Sequence, residues 1–469
     1  MPFQSFPLRV IGGTNQNRSP QANNELTKNW YPELTPGGLN DAILLPWKGS
    51  QAFGSTTASG GDRGTHIYKN EWYQVKGSTL YLIGSGGTYT SKGTIGGAAT
   101  CVFSNSIVGS SELMVIAAGT AVYTYDGTTL TTTSVVSSTV TYLNSKSIYA
   151  TGGQEFSVSG ASGPGTITST GSAESSPDDL LRPYAFQQWV WMFCETSVEP
   201  FYDSGATTGT PLKRVDSAIK QKGLGGLYTV ANTDQFLYFL GDDFNVYRLS
   251  QGGITNISTP SLVNNIKTLN ADRALAYTLV NDNQDFYILK FETGLTYVFS
   301  EQLNEWFNLS TGVNDGPYLA QSYQRVYDKD LAIDGSTGDA IELLDDLRED
   351  LGQTIQRRRV FPPFTSKQAG MPYGKRLLMS KIKFALQTGQ GIVSGQGSDP
   401  RIMVEFSLDG GETWSTERWV KTGKMGKFLI QAIYNQMVTF DEITFRVTVS
   451  DPVFSSLHDA SIDVKLAGY

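Results

Sequence analysis

Residues 235–249 read QFLYFLGDDFNVYRL. Two short runs rich in apolar and aromatic residues flank the triplet Gly241-Asp242-Asp243, and each run has the length of a β-strand. Gly and Asp are the residues that tight turns favour, because they tolerate the backbone conformations and supply the hydrogen bonds that a turn needs. The segment therefore predicts a β-hairpin.

The same succession of strand, tight turn and Tyr-containing strand recurs along the chain. Hairpins repeated at roughly 40–50-residue spacing are typical of the blades of a β-propeller. The 50 glycines fit this reading, because each hairpin needs turn residues. The spacing is irregular and leaves the number of blades open. The other instances are residues 64–83, 113–127, 285–299 and 334–344.

A different unit follows the Pro- and Gly-rich link at residues 362–374. Four runs there alternate polar and apolar residues strictly, as half-buried strands do, and they predict a β-sandwich. The fold class expected is therefore all-β, with β-propeller-like repeats of short antiparallel strands followed by a C-terminal β-sandwich. The four runs are 381–386, 402–406, 443–449 and 461–466.

These patterns divide the chain into three parts: an N-terminal arm (1–50), a β-propeller-like domain (51–360) and the β-sandwich (361–469). The arm contains several prolines, which favour irregular structure. Its aromatic residues Trp30, Tyr31 and Trp47 indicate an ordered arm that lies on a neighbouring surface.

Two segments are ambiguous. Residues 341–355 have leucines at helical spacing, but they contain Gly352 and directly follow a strand pattern, so strand–loop–strand is favoured over a short helix. The low-complexity residues 157–176 are expected to form a long surface loop or an extra hairpin.

The composition excludes several classes of protein. The chain has 44 acidic and 36 basic residues, a net charge of −8, which argues against a broad nucleic-acid-binding surface. Two histidines and two cysteines cannot supply a disulfide framework or a four-thiolate zinc site, and we predict no cofactor and no metal. Neither a signal peptide nor a membrane span is expected, since no apolar run approaches about 18 residues.

Three consecutive arginines, Arg357-Arg358-Arg359, precede the link. Clustered arginines can bind phosphate. A solvated strand edge, or a face that forms ion pairs between subunits, is the favoured interpretation here.

The sharpest local motif is SLDGGETW at residues 407–414, which resembles the Asp-box of sialidases and related propellers. Its fixed positions are Ser407, Asp409, Gly411, Thr413 and Trp414. The carboxylate is expected to accept hydrogen bonds from the N–H groups of a hairpin turn, the glycine to supply a permissive φ, and the indole to cover the turn. This role is structural and does not indicate catalysis.

Catalytic arrangements are absent from the sequence patterns. The acid pairs 242–243, 345–346 and 349–350 all stand in turn-like contexts, where solvation or capping is the ordinary role. Neither histidine lies in a nucleophile motif. We therefore expect no enzyme activity and name no catalytic residue.

One group of motifs is more specific than the general pattern of strands and turns. It begins with AESSPD (173–178), continues through WMFC (191–194) and SVEPFY (197–202), and ends with IKQKGLGG (219–226). In this order it resembles the phage stabilisation family, the packaged-DNA stabilisation or tail accessory (tail hub) proteins of short-tailed phages. The residues that carry the resemblance most directly are Glu174, Pro177, Asp178, Glu199, Gln221, Lys222 and Gly223.

The resemblance implies a structural virion protein, a tail hub or nozzle subunit assembled in the host cytoplasm. It would form a homo-oligomeric ring, expected to be hexameric, below the portal and its head-to-tail adaptor. That ring would extend the DNA channel, help to retain packaged DNA and carry the tail needle, fibre or tailspike proteins. DNA would pass through the lumen without sequence-specific binding, which an acidic balance would suit.

The alternative from a different class is an Asp-box propeller with carbohydrate-binding or glycoside-hydrolase activity. It is motivated by residues 407–414 and by the many Tyr and Trp side chains. Ring formation without turnover favours the hub, whereas release of sugar from a host polysaccharide favours the enzyme.

Overall fold

The computed structural model describes residues 2–35, 41–56, 58–160, 162–206, 208–281 and 283–467, and these are almost entirely β-structure. The exception of note is helix α1 (Pro260–Ile266), whose N-cap Thr259 accepts a hydrogen bond from the Leu262 N–H and whose proline stands at the first helical position. Two short 3₁₀ helices cover Asp216–Ala218 and Ala271–Arg273.

The N-terminal segment forms six strands rather than the irregular arm expected from its prolines. They are β1 (Gln4–Leu8), β2 (Asn15–Gln16), β3 (Asn24–Lys28), β4 (Trp30–Leu34), β5 (Ala42–Pro46) and β6 (Gly49–Ala52).

The next part of the chain forms successive four-stranded antiparallel sheets, the blades of a propeller. The first four blades are β7 (Asp62–Tyr68), β8 (Glu71–Lys76), β9 (Thr79–Ile83), β10 (Tyr89–Thr94); β11 (Val102–Val108), β12 (Ser111–Ala117), β13 (Val122–Tyr125), β14 (Leu130–Thr132); β15 (Val140–Leu143), β16 (Lys146–Gly152), β17 (Glu155–Gly160), β18 (Gly163–Ser172); and β19 (Leu180–Phe186), β20 (Trp189–Cys194), β21 (Val198–Asp203), β22 (Leu212–Arg214).

Three more blades follow, so the described residues form seven in all. Blade five is β23 (Ala231–Asn232), β24 (Leu237–Leu240), β25 (Val246–Ser250) and β26 (Gly253–Asn256); blade six is β27 (Leu275–Asn281), β28 (Gln284–Lys290), β29 (Thr296–Ser300) and β30 (Glu305–Leu309); blade seven contains β31 (Ala320–Val326), β32 (Lys329–Asp334) and β33 (Ala340–Leu344).

Blade seven obtains its fourth strand from the start of the chain. Strand β6 pairs antiparallel with β33, from Ile341 opposite Ala52 to Leu344 opposite Gly49. Hydrogen bonds between distant parts of the chain thus close the circle of blades, and β6 covers the edge of β33 that blade seven would otherwise expose.

The remaining strands extend blade seven and build the sandwich. They are β34 (Glu349–Asp350), β35 (Gln353–Thr354), β36 (Arg357–Val360), β37 (Phe364–Thr365), β38 (Leu377–Leu386), β39 (Arg401–Ser407), β40 (Arg418–Lys421), β41 (Ala432–Phe440), β42 (Glu442–Val449) and β43 (Leu457–Leu466).

One sandwich sheet has the strand order β4-β5-β43-β38-β41, and β1 also pairs with β43. The four alternating runs predicted from the sequence are all strands, in β38, β39, β42 and β43. The N-terminal segment therefore lies on both parts of its own chain, since β1, β4 and β5 join the sandwich whereas β3 and β6 pair with blades six and seven. The division of the chain at residues 50 and 360 stays a prediction.

The other sandwich sheet is continuous with the propeller. Its order is β27-β28-β29-β30-β3-β36-β42-β39-β40, so strand β3 joins blade six on one side to the sandwich on the other. The link between β3 and β30 is parallel, with Lys28 opposite Asn308, and β3 pairs antiparallel with β36. Backbone hydrogen bonds therefore tie the two parts together in addition to the chain connection.

Both ambiguous segments are resolved. Residues 341–355 form strand–loop–strand, through β33, β34 and β35, and the favoured interpretation is confirmed. Residues 157–176 contribute most of the outer hairpin of blade three (residue 161 lies outside the described part), so they are a regular part of the propeller and not a surface loop.

Candidate functional site

Two cavities lie along the propeller axis, with volumes of about 830 and 740 Å³. The first strand of every blade, β7, β11, β15, β19, β23, β27 and β31, lines the second cavity. The two cavities adjoin, since both are lined by Thr100, Tyr228, Leu275 and Gln321.

Lys290 is the buried cation of the first cavity. Its Nζ donates to the carbonyl oxygens of Leu319 and Ala320 at 3.1 and 3.3 Å. Burial lowers its pKa to about 8, against the opposing attraction of Asp334 and Asp62. These partners are contributed by blades one and seven, so this lysine holds the blades together at the axis.

The signature residues around position 178 build a tight connection in blade four. Asp178 is buried and precedes β19, and its carboxylate accepts hydrogen bonds from the Thr196 N–H at 2.7 Å and the Thr196 hydroxyl at 2.8 Å. This carboxylate therefore holds the turn between β20 and β21. Glu174 and Pro177 lie on the surface beside it.

Glu199 is the second buried acid of the signature. One of its oxygens accepts hydrogen bonds from the Ser175 N–H at 2.8 Å and the Ser175 hydroxyl at 2.6 Å, and the other faces Arg214 Nη1 at 3.4 Å. A wholly buried carboxylate needs such partners, because an unpaired buried charge is costly. Glu199 thus connects the segment before β19 to the middle of blade four.

The residues 221–223 link blade four to blade five. Lys222 Nζ donates to Asp243 Oδ2 at 2.9 Å, and the Tyr247 hydroxyl donates to the same oxygen at 2.6 Å. Burial opposes ionisation of Asp243, yet these hydrogen bonds hold its pKa at about 2. Gln221 is exposed.

Gly223 allows a close backbone approach at this link. A Cβ at this position would lie 1.7 Å from the carbonyl oxygen of Glu195. The Gly223 N–H donates to Asp242 Oδ1 at 3.1 Å, and its carbonyl accepts from the Asp242 N–H at 3.1 Å. Only a residue without a side chain fits between the two blades here.

The motif at 407–414 is a hydrogen-bonded turn after β39. Asp409 accepts hydrogen bonds from the Thr413 N–H at 2.9 Å and from the hydroxyl groups of Ser407 and Thr413 at 2.6 and 2.5 Å. These bonds hold the pKa of Asp409 well below its usual range. Gly411 has φ +100°, and Trp414 lies against it while Arg446 stacks on the indole at 4.2 Å. Both oxygens of Asp409 are therefore engaged in the turn.

The expectation is wrong for Arg357 and Arg359. Both are wholly buried, because β36 lies inside the continuous sheet between β3 and β42 and not at a solvated edge. Arg359 forms an ion pair with the buried Glu25 and donates to Thr27 Oγ1 at 2.9 Å. Arg358 pairs with Asp315 at 3.1 Å. The alternation of a strand places residues 357 and 359 on one face, a signal that the sequence reading did not use.

Arg357 faces Asp350 at the junction of blade seven and the sandwich. Asp350 Oδ1 accepts a hydrogen bond from the Ser50 hydroxyl at 3.0 Å, whereas the guanidinium nitrogens have no hydrogen-bond partner in the described part of the chain. Burial raises the pKa of Asp350 to about 7 and lowers that of Arg357. The attraction between the two charges does not repay their loss of water.

The cysteines are buried and unpaired with each other, and burial raises the pKa of both thiols to about 12. The described residues contain no group of three or more His, Cys, Asp and Glu side chains placed to hold a metal ion. Within the same residues, no helix has the length and apolar character needed to cross a membrane.

Two family models match the chain. Residues 4–346 match the bacteriophage P22 Gp10 β-propeller, and residues 371–465 match the bacteriophage P22 Gp10 β-sandwich. The chain belongs to the bacteriophage P22 Gp10 family. The expected family and the expected fold class are both confirmed, and the chain is a phage structural protein and virion component. No curated protein matches it by sequence.

Several solved structures are similar in fold. The BBS1 N-terminal domain crystallised with ARL6 is 13% identical, with a TM-score of 0.42 over 63% of this chain and 97% of that one. Virginiamycin B lyase from Staphylococcus aureus is 9% identical, with a TM-score of 0.45 over 63% and 99%. The computationally designed protein Ika8 is 10% identical, with a TM-score of 0.40 over 72% and 99%. Similarity at this level does not extend to function.

Proposed function

We propose that the protein is the subunit of a ring-shaped tail hub or nozzle that continues the DNA channel below the portal and its adaptor. The observation that carries the proposal is the match of both parts of the chain to the Gp10 family. The ring would be hexameric, assemble in the host cytoplasm, help to retain packaged DNA and carry needle, fibre or tailspike proteins.

The continuous sheet supports a role in which the subunit must withstand mechanical force. Blade six and the sandwich share strand β3, and strand β6 closes the propeller from the other end of the chain. A subunit built in this way resists separation of its two parts, because backbone hydrogen bonds would have to break together. A tail component under the pressure of packaged DNA needs that resistance.

The charge distribution supports a passage that does not hold DNA. Residues 51–360 contain 31 acidic and 20 basic side chains. Because binding to a phosphate backbone depends on Lys and Arg, a lumen formed by such domains would let DNA slide. The lumen of such a ring lies between its subunits.

Assembly on isolated portal–adaptor complexes tests the proposal. Purified full-length protein should add a ring in negative-stain images, and particles made without it should lose packaged DNA. A protein that stays monomeric with and without the adaptor would contradict the hub. Release of sugar from host polysaccharide would favour the glycan alternative, to which the Asp409 turn lends no support because its carboxylate is already engaged.

A further inference from the structure

The free end of the sandwich carries the edge strands of both its sheets. Strand β40 is the last strand of the continuous sheet and pairs only with β39 among the described strands, and β41 is the last strand of the second sheet and pairs only with β38. The two edge strands lie close to one another. Unpaired strand edges are interaction surfaces unless the chain covers them.

This end of the sandwich exposes large apolar side chains. Single exposed apolar residues are common, but a group of them within one short segment and its neighbouring strand indicates a contact surface. We call residues 418–429 together with Met437 the docking end. Its exposed fractions are 100% for Leu429, 64% for Phe428, 62% for Trp419, 58% for Met437 and 57% for Met425.

The docking end is also basic. Residues 418–429 contain Arg418, Lys421, Lys424 and Lys427 and no acidic residue. Lys421 pairs with Asp399 at 3.2 Å, whereas the other three form no ion pair with any residue that the structure describes. A surface that is both apolar and positively charged fits an acidic protein surface better than a phosphate backbone, because DNA offers little apolar area to cover the indole and phenyl rings.

The complementary surface is present on the propeller of the same sequence. Four exposed acids on blades three and four form no ion pair within the described residues, and we call them the acidic face. The loops that carry them lie against one another, since the Ala173 N–H donates to the Gln154 carbonyl at 2.9 Å and the Leu180 N–H donates to the Gly153 carbonyl at 2.8 Å. The acidic face consists of Glu155, Glu174, Asp179 and Glu195.

We propose that the docking end of one copy binds the acidic face on blades three and four of the next copy. The inference rests on the ring of the proposed function and names the surfaces that join its subunits. Two different patches of one chain make a head-to-tail contact, and such contacts close into a ring when the rotation between copies allows it. The contact covers the apolar residues and pairs the unmatched charges.

Charge reversal with rescue tests the contact. The double variant Lys424→Glu/Lys427→Glu should weaken assembly of the full-length protein at least tenfold, measured by sedimentation velocity and by ring formation on the portal–adaptor complex. Adding Glu174→Lys and Glu195→Lys to the same chain should restore it. The matched control Lys367→Glu/Lys375→Glu reverses two exposed lysines elsewhere in the sandwich region and should assemble as the unmodified protein does.

The outcomes separate this inference from the proposed function. Rings that form equally well with Lys424→Glu/Lys427→Glu would overturn the docking contact and leave the hub intact, whereas absence of rings from the unmodified protein on the portal–adaptor complex would contradict the hub itself. Unchanged circular dichroism and melting temperature should show that the variants fold, and Leu429→Ser should independently weaken assembly. If the double variant loses binding to duplex DNA but keeps its rings, the docking end binds phosphate and the inference is wrong.

Discussion

Replacement of Gly223 by alanine tests the close contact between blades four and five. The added Cβ would lie 1.7 Å from the Glu195 carbonyl oxygen, where an ordinary contact needs 3.4 Å or more, so the two backbone segments must separate by more than an ångström. Overpacking of this kind costs about 1–3 kcal/mol. The turn also holds two hydrogen bonds with Asp242, and their loss adds about 1 kcal/mol each.

Gly223→Ala should therefore lower the free energy of unfolding by about 3–5 kcal/mol, and the melting temperature of a chain of 469 residues by about 3–5 °C. Hydrogen exchange followed by mass spectrometry should show faster exchange in residues 194–199 and 223–225, with the sandwich unchanged. The matched control is Gly86→Ala, because a Cβ at position 86 meets nothing within 4 Å and the backbone is not left-handed there. Equal melting temperatures for the two variants would refute the steric argument.

Three further changes probe other parts of the molecule. The raised pKa of Asp350 means that the folded protein binds this proton more tightly than the unfolded chain does, so the free energy of unfolding should fall as the pH rises from about 4 to about 7. Asp350→Asn should flatten this slope in urea titrations, whereas Asp346→Asn at the exposed neighbouring acid should leave it unaltered. Trp47→Ala removes a buried ring whose centre lies 5.4 Å from that of Phe286, and it should lower the free energy of unfolding by about 3–5 kcal/mol. Trp419→Ala at the exposed docking end should change it by no more than about 0.5 kcal/mol, and similar losses for the two variants would contradict the assigned burial. Asp409→Ala should lower the melting temperature at pH 7, and because the pKa of this acid is depressed, the difference should shrink as the pH falls below about 3.9. A difference independent of pH would show that the ionised form of Asp409 does not stabilise the turn.

Much of the fold was predictable because it depends on local patterns. The hairpin at residues 235–249 is strands β24 and β25 of blade five, and the alternating runs after residue 380 are sandwich strands. The period of a strand and the residues of a turn are properties of a few neighbouring positions, so the sequence reveals them directly. The signature order from Glu174 to Gly223 indicated the family for the same reason.

The arginines at 357–359 show what a local sequence pattern cannot predict. Their charge predicted exposure, yet Arg359 is buried against Glu25, more than three hundred residues earlier in the chain. A local pattern cannot reveal a partner so distant, because the pairing exists only once β3 lies beside β36.

Sequence patterns were thus sufficient for the repeated hairpins, the four sandwich runs, the all-β class and the family, but not for the six strands of the N-terminal segment. The closure of blade seven by β6 and the joining of blade six to the sandwich through β3 became known only from the folded chain. The same holds for the count of seven blades, since one blade is assembled from both ends of the propeller sequence. Strand and turn formation depends on neighbouring residues, whereas the pairing of strands far apart depends on how the whole chain buries its apolar surface and satisfies its backbone hydrogen bonds.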